Sequence, residues 1–212
     1  VTGRLTEDMF PMVEPRTTHY AMEGPWPISA PIVSCRHCLD YLEGRQMFPP
    51  TKRLLAELFQ PPEWLRCLDY YGHRVGFYVK GSDWWQGRAI NDRNSKPYMS
   101  TPLLHGMPAP ILPMYPAKSG RTYTPSGPVV LVEGPMDGLR LYLAGIPAVV
   151  LFGKSFSIKK LERLQDLPHR QFFLALDRDD CEAEKAVWTR RLMSFAWVRG
   201  WNMEAPDPGS MG

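Results

Sequence analysis

Residues 128–196 carry the pattern that most limits what this chain can fold into. Three short apolar runs, Pro128–Val132, Ala148–Phe152 and Gln171–Leu176, alternate with segments of helical spacing. The first, Val129-Val130-Leu131-Val132, has no polar alternation at all. A strand apolar throughout must be covered on both faces, as parallel strands under helices are. Between the runs, Met136, Leu139 and Leu143 at i, i+3 and i+7 predict a helix closed by Gly145. Ile158, Leu161 and Leu164 predict a second helix, with Ser157 as its N-cap. Trp188, Leu192, Phe195 and Ala196 predict a third, long helix ending near Gly200. Strands and helices alternating through links this short imply right-handed crossovers and a mainly parallel sheet, an α/β fold.

The upstream half reads differently. Residues 64–100 alternate, as in Trp64-Leu65-Arg66-Cys67-Leu68 and Val75-Gly76-Phe77-Tyr78-Val79, with turns at Gly72 and Gly81-Ser82. That predicts antiparallel strands. Leu39, Leu42, Leu54, Leu55 and Leu58 predict helix between Ser34 and about Phe59, stopped by Gln60-Pro61-Pro62. Pro- and Met-rich residues 1–33 read as an irregular arm, and a Pro-rich connection covers 101–127. The expected organisation is an arm (1–33), a basic α+β subdomain (34–126) and an α/β domain (127–212). The start at Val1 and the end in Pro-Gly-Ser-Met-Gly read as fragment boundaries.

Composition sets the class. At 44% hydrophobic and 22% charged, the 212 residues can bury a core. No apolar run approaches the ~20 residues of a membrane span, and no signal peptide opens the chain, so no membrane partner is expected. Four cysteines are too few and scattered for a disulfide framework, which favours a reducing cytoplasm. A net charge of +3 permits a nucleic-acid partner without requiring one.

In a parallel sheet, ligands bind beyond the carboxyl ends of the strands. The first run ends in Glu133-Gly134 and the third in Asp177-Arg178-Asp179-Asp180. Asp179 or Asp180 also suits the N-cap of the following helix, so the aspartates alone leave capping and catalysis open. Glu133 at the matching end of another strand, with Asp137 a turn on, favours a shared cation. Oxygen-only ligands suit Mg²⁺ (or Mn²⁺), and two such ions clamp an in-line phosphoryl transfer. Gly134 reads as a place where backbone approaches a ligand. Upstream, Lys80, Arg88, Arg93 and Lys96 interleave with Tyr78, Trp84, Trp85 and Tyr98, as phosphate-tracking charges and stacking surfaces do. A solvated sheet face is the other reading of that pattern.

The segments Val129–Gly138, Ala148–Gly153 and Leu174–Asp179 together resemble the Toprim signature shared by DnaG-type primases, type IA and II topoisomerases and some nucleases. The resemblance implies that Glu133 is a general acid/base or metal-adjacent carboxylate and that Asp177 and Asp179 are metal ligands. The family usually follows its Asp-x-Asp with Ala-Gly, where this chain has Cys181-Glu182. Tyr71–Phe77, Gly87-Arg88-Ala89-Ile90 and Lys96–Pro102 are similar to the subdomain preceding Toprim in DnaG-type primases, although the Pro-Lys order is inverted and an Asn is missing. That similarity implies that Arg88 and Lys96 touch template, nucleotide or primer. The interleaved charges and aromatics add Lys80 and Tyr98 as candidate nucleic-acid contacts, and Asp137, a turn after Glu133, and Lys154, after Gly153, are candidate nucleotide contacts. The third acidic cluster of the family is represented by Glu204 and Asp207 alone.

The resemblance implies a primase core that makes RNA primers on single-stranded DNA from ribonucleoside triphosphates, beside a replicative helicase. Its compactness suggests a phage replication system. The alternatives are a Toprim nuclease using the same carboxylates, or a catalytically degenerate binding module. Gly153-Lys154-Ser155 is not a P-loop, because Ala148 stands where that motif needs glycine. Cys35-Arg36-His37-Cys38 has no second pair at ribbon spacing, and Cys67 and His73 stand alone, so zinc is not expected.

Overall fold

A computed structural model describes residues 28–45, 47, 62–69, 73–91, 96–103, 108–116, 127–176 and 182–201. The described chain forms two five-stranded sheets. The first is antiparallel throughout, in the order β1 (Ile28–Pro31), β2 (Leu65–Asp69), β3 (His73–Tyr78), β4 (Trp85–Ala89), β5 (Tyr98–Ser100). Helix α1 (Arg36–Gly44) packs on β3 after a single 3₁₀ turn, Ile32–Ser34. Residues 28–31 therefore depart from the expected irregular arm. Ending the strand on Pro31 is tolerated because β1 pairs on one side only, with β2. Of the helix expected over 34–59, residues 36–44 are helical, while Leu54, Leu55 and Leu58 lie outside the described residues.

Two glycines thin this sheet at its centre. Gly76 and Gly87 are direct partners on β3 and β4. A Cβ on Gly76 would lie 2.6 Å from Leu68 Cγ, and one on Gly87 would lie 3.0 Å from Leu68 Cδ1. Absence of side chains lets Leu68 lie across both strands over Trp85 and Met99, all three buried. Arg74 is fully buried beside Gly87, and its Nη1 donates to the Lys96 carbonyl at 3.0 Å. A buried guanidinium is tolerable only with such bonds.

The second sheet runs β10 (Trp197–Gly200), β9 (Gln171–Ala175), β7 (Val129–Val132), β8 (Ala148–Val150), β6 (Leu112–Met114). The four C-terminal strands are parallel, as the sequence predicts, and β6 adds antiparallel at the edge. All four β7 side chains are buried. Val130 and Val132 face the core shared with α2 (Pro135–Leu143), and Val129 and Leu131 face a second core with Leu164, Trp188 and Leu192. Each such aliphatic contributes about 1.5–3 kcal/mol on full burial. Helix α3 (Ile158–Gln165) starts at Ser157, whose hydroxyl accepts from Lys160 N at 3.2 Å. Helix α4 (Glu182–Leu192) carries Glu182 and Glu184 in its first turn and Arg190 and Arg191 in its last, matching the helix dipole.

Three expectations change here. The last helix ends at Leu192, not Gly200; the chain turns through 193–196, and Trp197–Gly200 joins the sheet edge instead. Phe195 still packs on Phe172, but from that turn. The Pro-rich connection hides β6, whose Pro113 is accommodated because an edge strand has a free side. On α3 the buried face is Lys160 and Leu164, at i and i+4, while Ile158 is 47% exposed.

The two sheets share one core. Trp84 meets Phe152 edge-on at 4.6 Å between centroids, and Trp64 meets Tyr142 at 5.2 Å. Arg140 on α2 donates to the Arg45 carbonyl at 2.8 Å, tying α2 to the end of α1. Among the described residues, no helix is long and apolar enough to cross a membrane.

Candidate active site at the carboxyl ends of the parallel strands

Glu133 follows the last residue of β7 and is half-buried. Register pairs Val132 with Ala175, so the carboxyl ends of β7 and β9 lie side by side. Asp177 and Asp179 lie outside the described residues, as does Arg93.

Around Glu133 the backbone is tightly tied. Gly153 N donates to the Glu133 carbonyl at 3.1 Å, and Leu151 N to that of Val132 at 2.9 Å. The loop leaving β8 is strained: Phe152 has φ +51 and Gly153 φ +111. A non-glycine residue at such φ persists only where packing fixes it, and here Phe152 is buried against Trp84. Lys160 crosses beneath this loop, its Nζ donating to the Gly153 and Ser155 carbonyls at 3.1 and 3.2 Å. Burial lowers its pKa to about 8, against the pull of Glu133.

Asp137 sits in the first turn of α2, only 8% exposed, where the helix dipole favours a carboxylate. A Cβ on Gly134 would meet its Oδ2 at 2.7 Å. Gly134 is thus a glycine to admit the Asp137 carboxylate, a more local reason than the ligand approach expected from sequence.

Arg88 and Tyr98 are cross-strand partners on β4 and β5, with the guanidinium 5.0 Å from the ring centre. Arg88 Nε also donates to the Tyr41 hydroxyl on α1 at 3.2 Å. Burial pushes the Tyr98 phenol up, Arg88 pulls it down, and Asp137 pushes it up again. Helix α1 joins this sheet to α2: its Tyr41 hydroxyl accepts from Arg88, and the Arg45 carbonyl at its end accepts from Arg140 on the helix that carries Asp137. Lys96 is half-buried, next to Arg74 through its carbonyl. Lys154 is half-buried on the loop after β8, its carbonyl accepting from Trp188 Nε1 at 2.8 Å. Lys80 is exposed on the β3–β4 turn. Trp84 and Trp85 are 3% and 0% exposed, so they build the core and offer no stacking surface.

Sequence reasoning missed Lys160, Tyr41 and Arg140. Lys160 had one signal, its i, i+4 spacing to Leu164 on a helix capped at Ser157. Tyr41 and Arg140 act through contacts distant in sequence. The fold also gathers residues that stand alone in the sequence: the ligand atoms of Cys35, Cys67 and His73 all lie within 4.8 Å of one another.

No protein-family profile matches this chain, and no curated protein does either. Solved structures do. The chain is similar to the Aquifex aeolicus primase (zinc-binding and RNA polymerase domains), with TM-score 0.60 and 19% identity over 84% of this chain and 53% of that one. A DnaG primase catalytic domain bound to ssDNA matches with TM-score 0.58 and 17% identity over 83% and 67%. A DNA primase domain from Pseudomonas aeruginosa matches with TM-score 0.56 and 22% identity over 83% and 67%. The chain thus spans between about half and two thirds of these proteins. The two sheets and their helices have the α/β fold of DnaG-type primase catalytic domains.

Proposed function

We propose that this chain is the catalytic core of a DnaG-like primase, a basic subdomain built on the first sheet, from β1 to β5, joined to a Toprim domain built on the second, which begins with β6. It makes short RNA primers on single-stranded DNA from ribonucleoside triphosphates, in a replication system that supplies a helicase. The observation that carries the reading is the link on a primase fold from the Arg88–Tyr98 pair through α1 to α2, which carries Asp137 just beyond Glu133: Tyr41 on α1 accepts from Arg88, and the Arg45 carbonyl at its end accepts from Arg140.

The donor set fits magnesium. Glu133 is a half-buried carboxylate at a strand end, with Asp137 a turn away, and Mg²⁺ takes one or two carboxylates and completes its shell with phosphate oxygens and water. Glu133, Asp177 and Asp179 would hold the ions, which when bound supply charge neutralisation for phosphoryl transfer.

The chain's own groups do the rest. Arg88 binds a backbone or triphosphate phosphate, and Tyr98 offers an exposed ring for a base. Asp137, packed against Gly134, fixes the start of α2 directly after Glu133. Lys160 fixes the 153–155 loop that carries Lys154 toward nucleotide. The primer 3′-hydroxyl attacks the α-phosphate and loses its proton to Glu133; the new P–O bond replaces the bond to the departing pyrophosphate.

Extension of an annealed primer by Glu133→Gln tests this. The reading expects synthesis to fall by two orders of magnitude or more, in the range of a lost acid–base group. Degradation of labelled strands without added nucleotides would replace it with the nuclease reading.

A further inference from the structure

We propose that Cys35, Cys38, Cys67 and His73 form a closed structural site for a zinc-class divalent ion that pins α1 to the β2–β3 hairpin. These residues come from three elements. Cys35 is the N-cap of α1 and Cys38 lies on its first turn, so the Cys-x-x-Cys pair faces one way. Cys67 lies on β2 and His73 on β3, where Cys67 pairs with Val75 and His73 sits two residues from Val75 on the same face. The hairpin therefore presents a thiol and an imidazole together, opposite the helix start.

The spacing suits a tetrahedral ion. Zinc–sulfur bonds of about 2.3 Å and zinc–nitrogen bonds of about 2.0 Å place ligand atoms about 3.5–3.8 Å apart. Cys35, Cys67 and His73 offer atoms within 4.8 Å of one another. Cys38 Sγ lies 3.4 Å from Cys67 Sγ, and Cys35 interacts with both other thiols; Cys38, whose thiol also bonds the Arg74 carbonyl at 3.4 Å, lies beside the three and supplies the fourth ligand by turning from that carbonyl to the ion. Cys38 is 0% exposed, Cys67 5% and Cys35 9%, as in sites closed to substrate. His73 Nδ1 is buried with no hydrogen-bond partner, a cost that ligation or its second shell would remove. His37 stacks on His73 at 4.9 Å and 20°, holding the ring. Three thiols with an imidazole select a soft ion over magnesium, so this site is chemically distinct from the carboxylates at Glu133.

The test uses the full chain purified under reducing conditions. Elemental analysis should find about one zinc per chain, released by a thiol-specific reagent. Cobalt exchanged into the protein should give tetrahedral d–d bands and a thiolate-to-metal charge-transfer band, which oxygen ligands do not give. Cys35→Ser is the informative variant, because serine is a favoured N-cap and keeps α1 while removing a ligand. It should remain folded by circular dichroism yet lose the charge-transfer intensity in part and the tightly held zinc, while Cys181→Ser keeps both. A wild-type chain that takes up neither ion after reduction and reconstitution would overturn the proposal. So would a native Cys38–Cys67 disulfide found by mass spectrometry, or a folded Cys35→Ser protein with an unchanged cobalt spectrum. Primer synthesis plays no part in these readouts, so loss of one proposal leaves the other standing.

Discussion

Arg88 and Tyr98 stand directly opposite each other on β4 and β5, with the guanidinium 5.0 Å from the ring centre and Nε bonded to the Tyr41 hydroxyl. Strand register and helix α1 together fix the arginine, and α1 is tied in turn to α2 through the Arg45 carbonyl and Arg140. A lysine here would keep the charge but lose the stack and the directed bond.

Binding to single-stranded DNA should therefore depend on both residues in different ways. Arg88→Ala should weaken binding across all sequences and lower the salt dependence by about one ion. Tyr98→Ala should cost about 1–3 kcal/mol of stacking, and Tyr98→Phe much less. Fluorescence anisotropy at several salt concentrations checks this; equal losses for Tyr98→Ala and Tyr98→Phe would speak against stacking.

Gly138 on α2 lies against β8 and β6. A Cβ there would fall 2.5 Å from Val150 Cγ2 and 2.9 Å from Met114 Sδ. Gly138→Ala should destabilise by about 1–3 kcal/mol through overpacking, despite alanine's better helix propensity. Urea unfolding measures it, and Val150→Ala in the same chain should recover part of the loss.

Lys160 makes stability depend on pH at the alkaline side. Burial lowers its pKa from 10.5 to about 8, so between these values the unfolded chain holds a proton that the folded chain has shed. Stability from this group is therefore present above pH 10.5 and lost as pH falls through about 8. Lys160→Met should flatten the rise between those limits relative to wild type. Urea unfolding at a series of pH values, taken as the difference between the two proteins, reads it directly.

The sequence makes the parallel sheet legible because β7 and β9 are apolar runs with no rival reading, and it makes Ser157 legible because a cap acts locally. Elements fixed by partners elsewhere escape it. Leu112-Pro113-Met114 is a strand only because β8 offers it an edge, and Trp197–Gly200 leaves the helical pattern to pair with β9. Glu133 follows from its strand, and the place of Arg88 from its alternation. Trp84 and Trp85 look like stacking surfaces in sequence and prove to be core, since aromatic residues serve both ends. Cys67 and His73 look solitary because the contact that unites them with Cys35 is made by tertiary packing.

The most direct test is primer synthesis by the purified chain on single-stranded DNA with Mg²⁺ and labelled ribonucleotides, beside Asp177→Ala. The account predicts short labelled products from the wild type and none from the variant, with both folded to the same degree by circular dichroism. Undiminished synthesis by Asp177→Ala would contradict it.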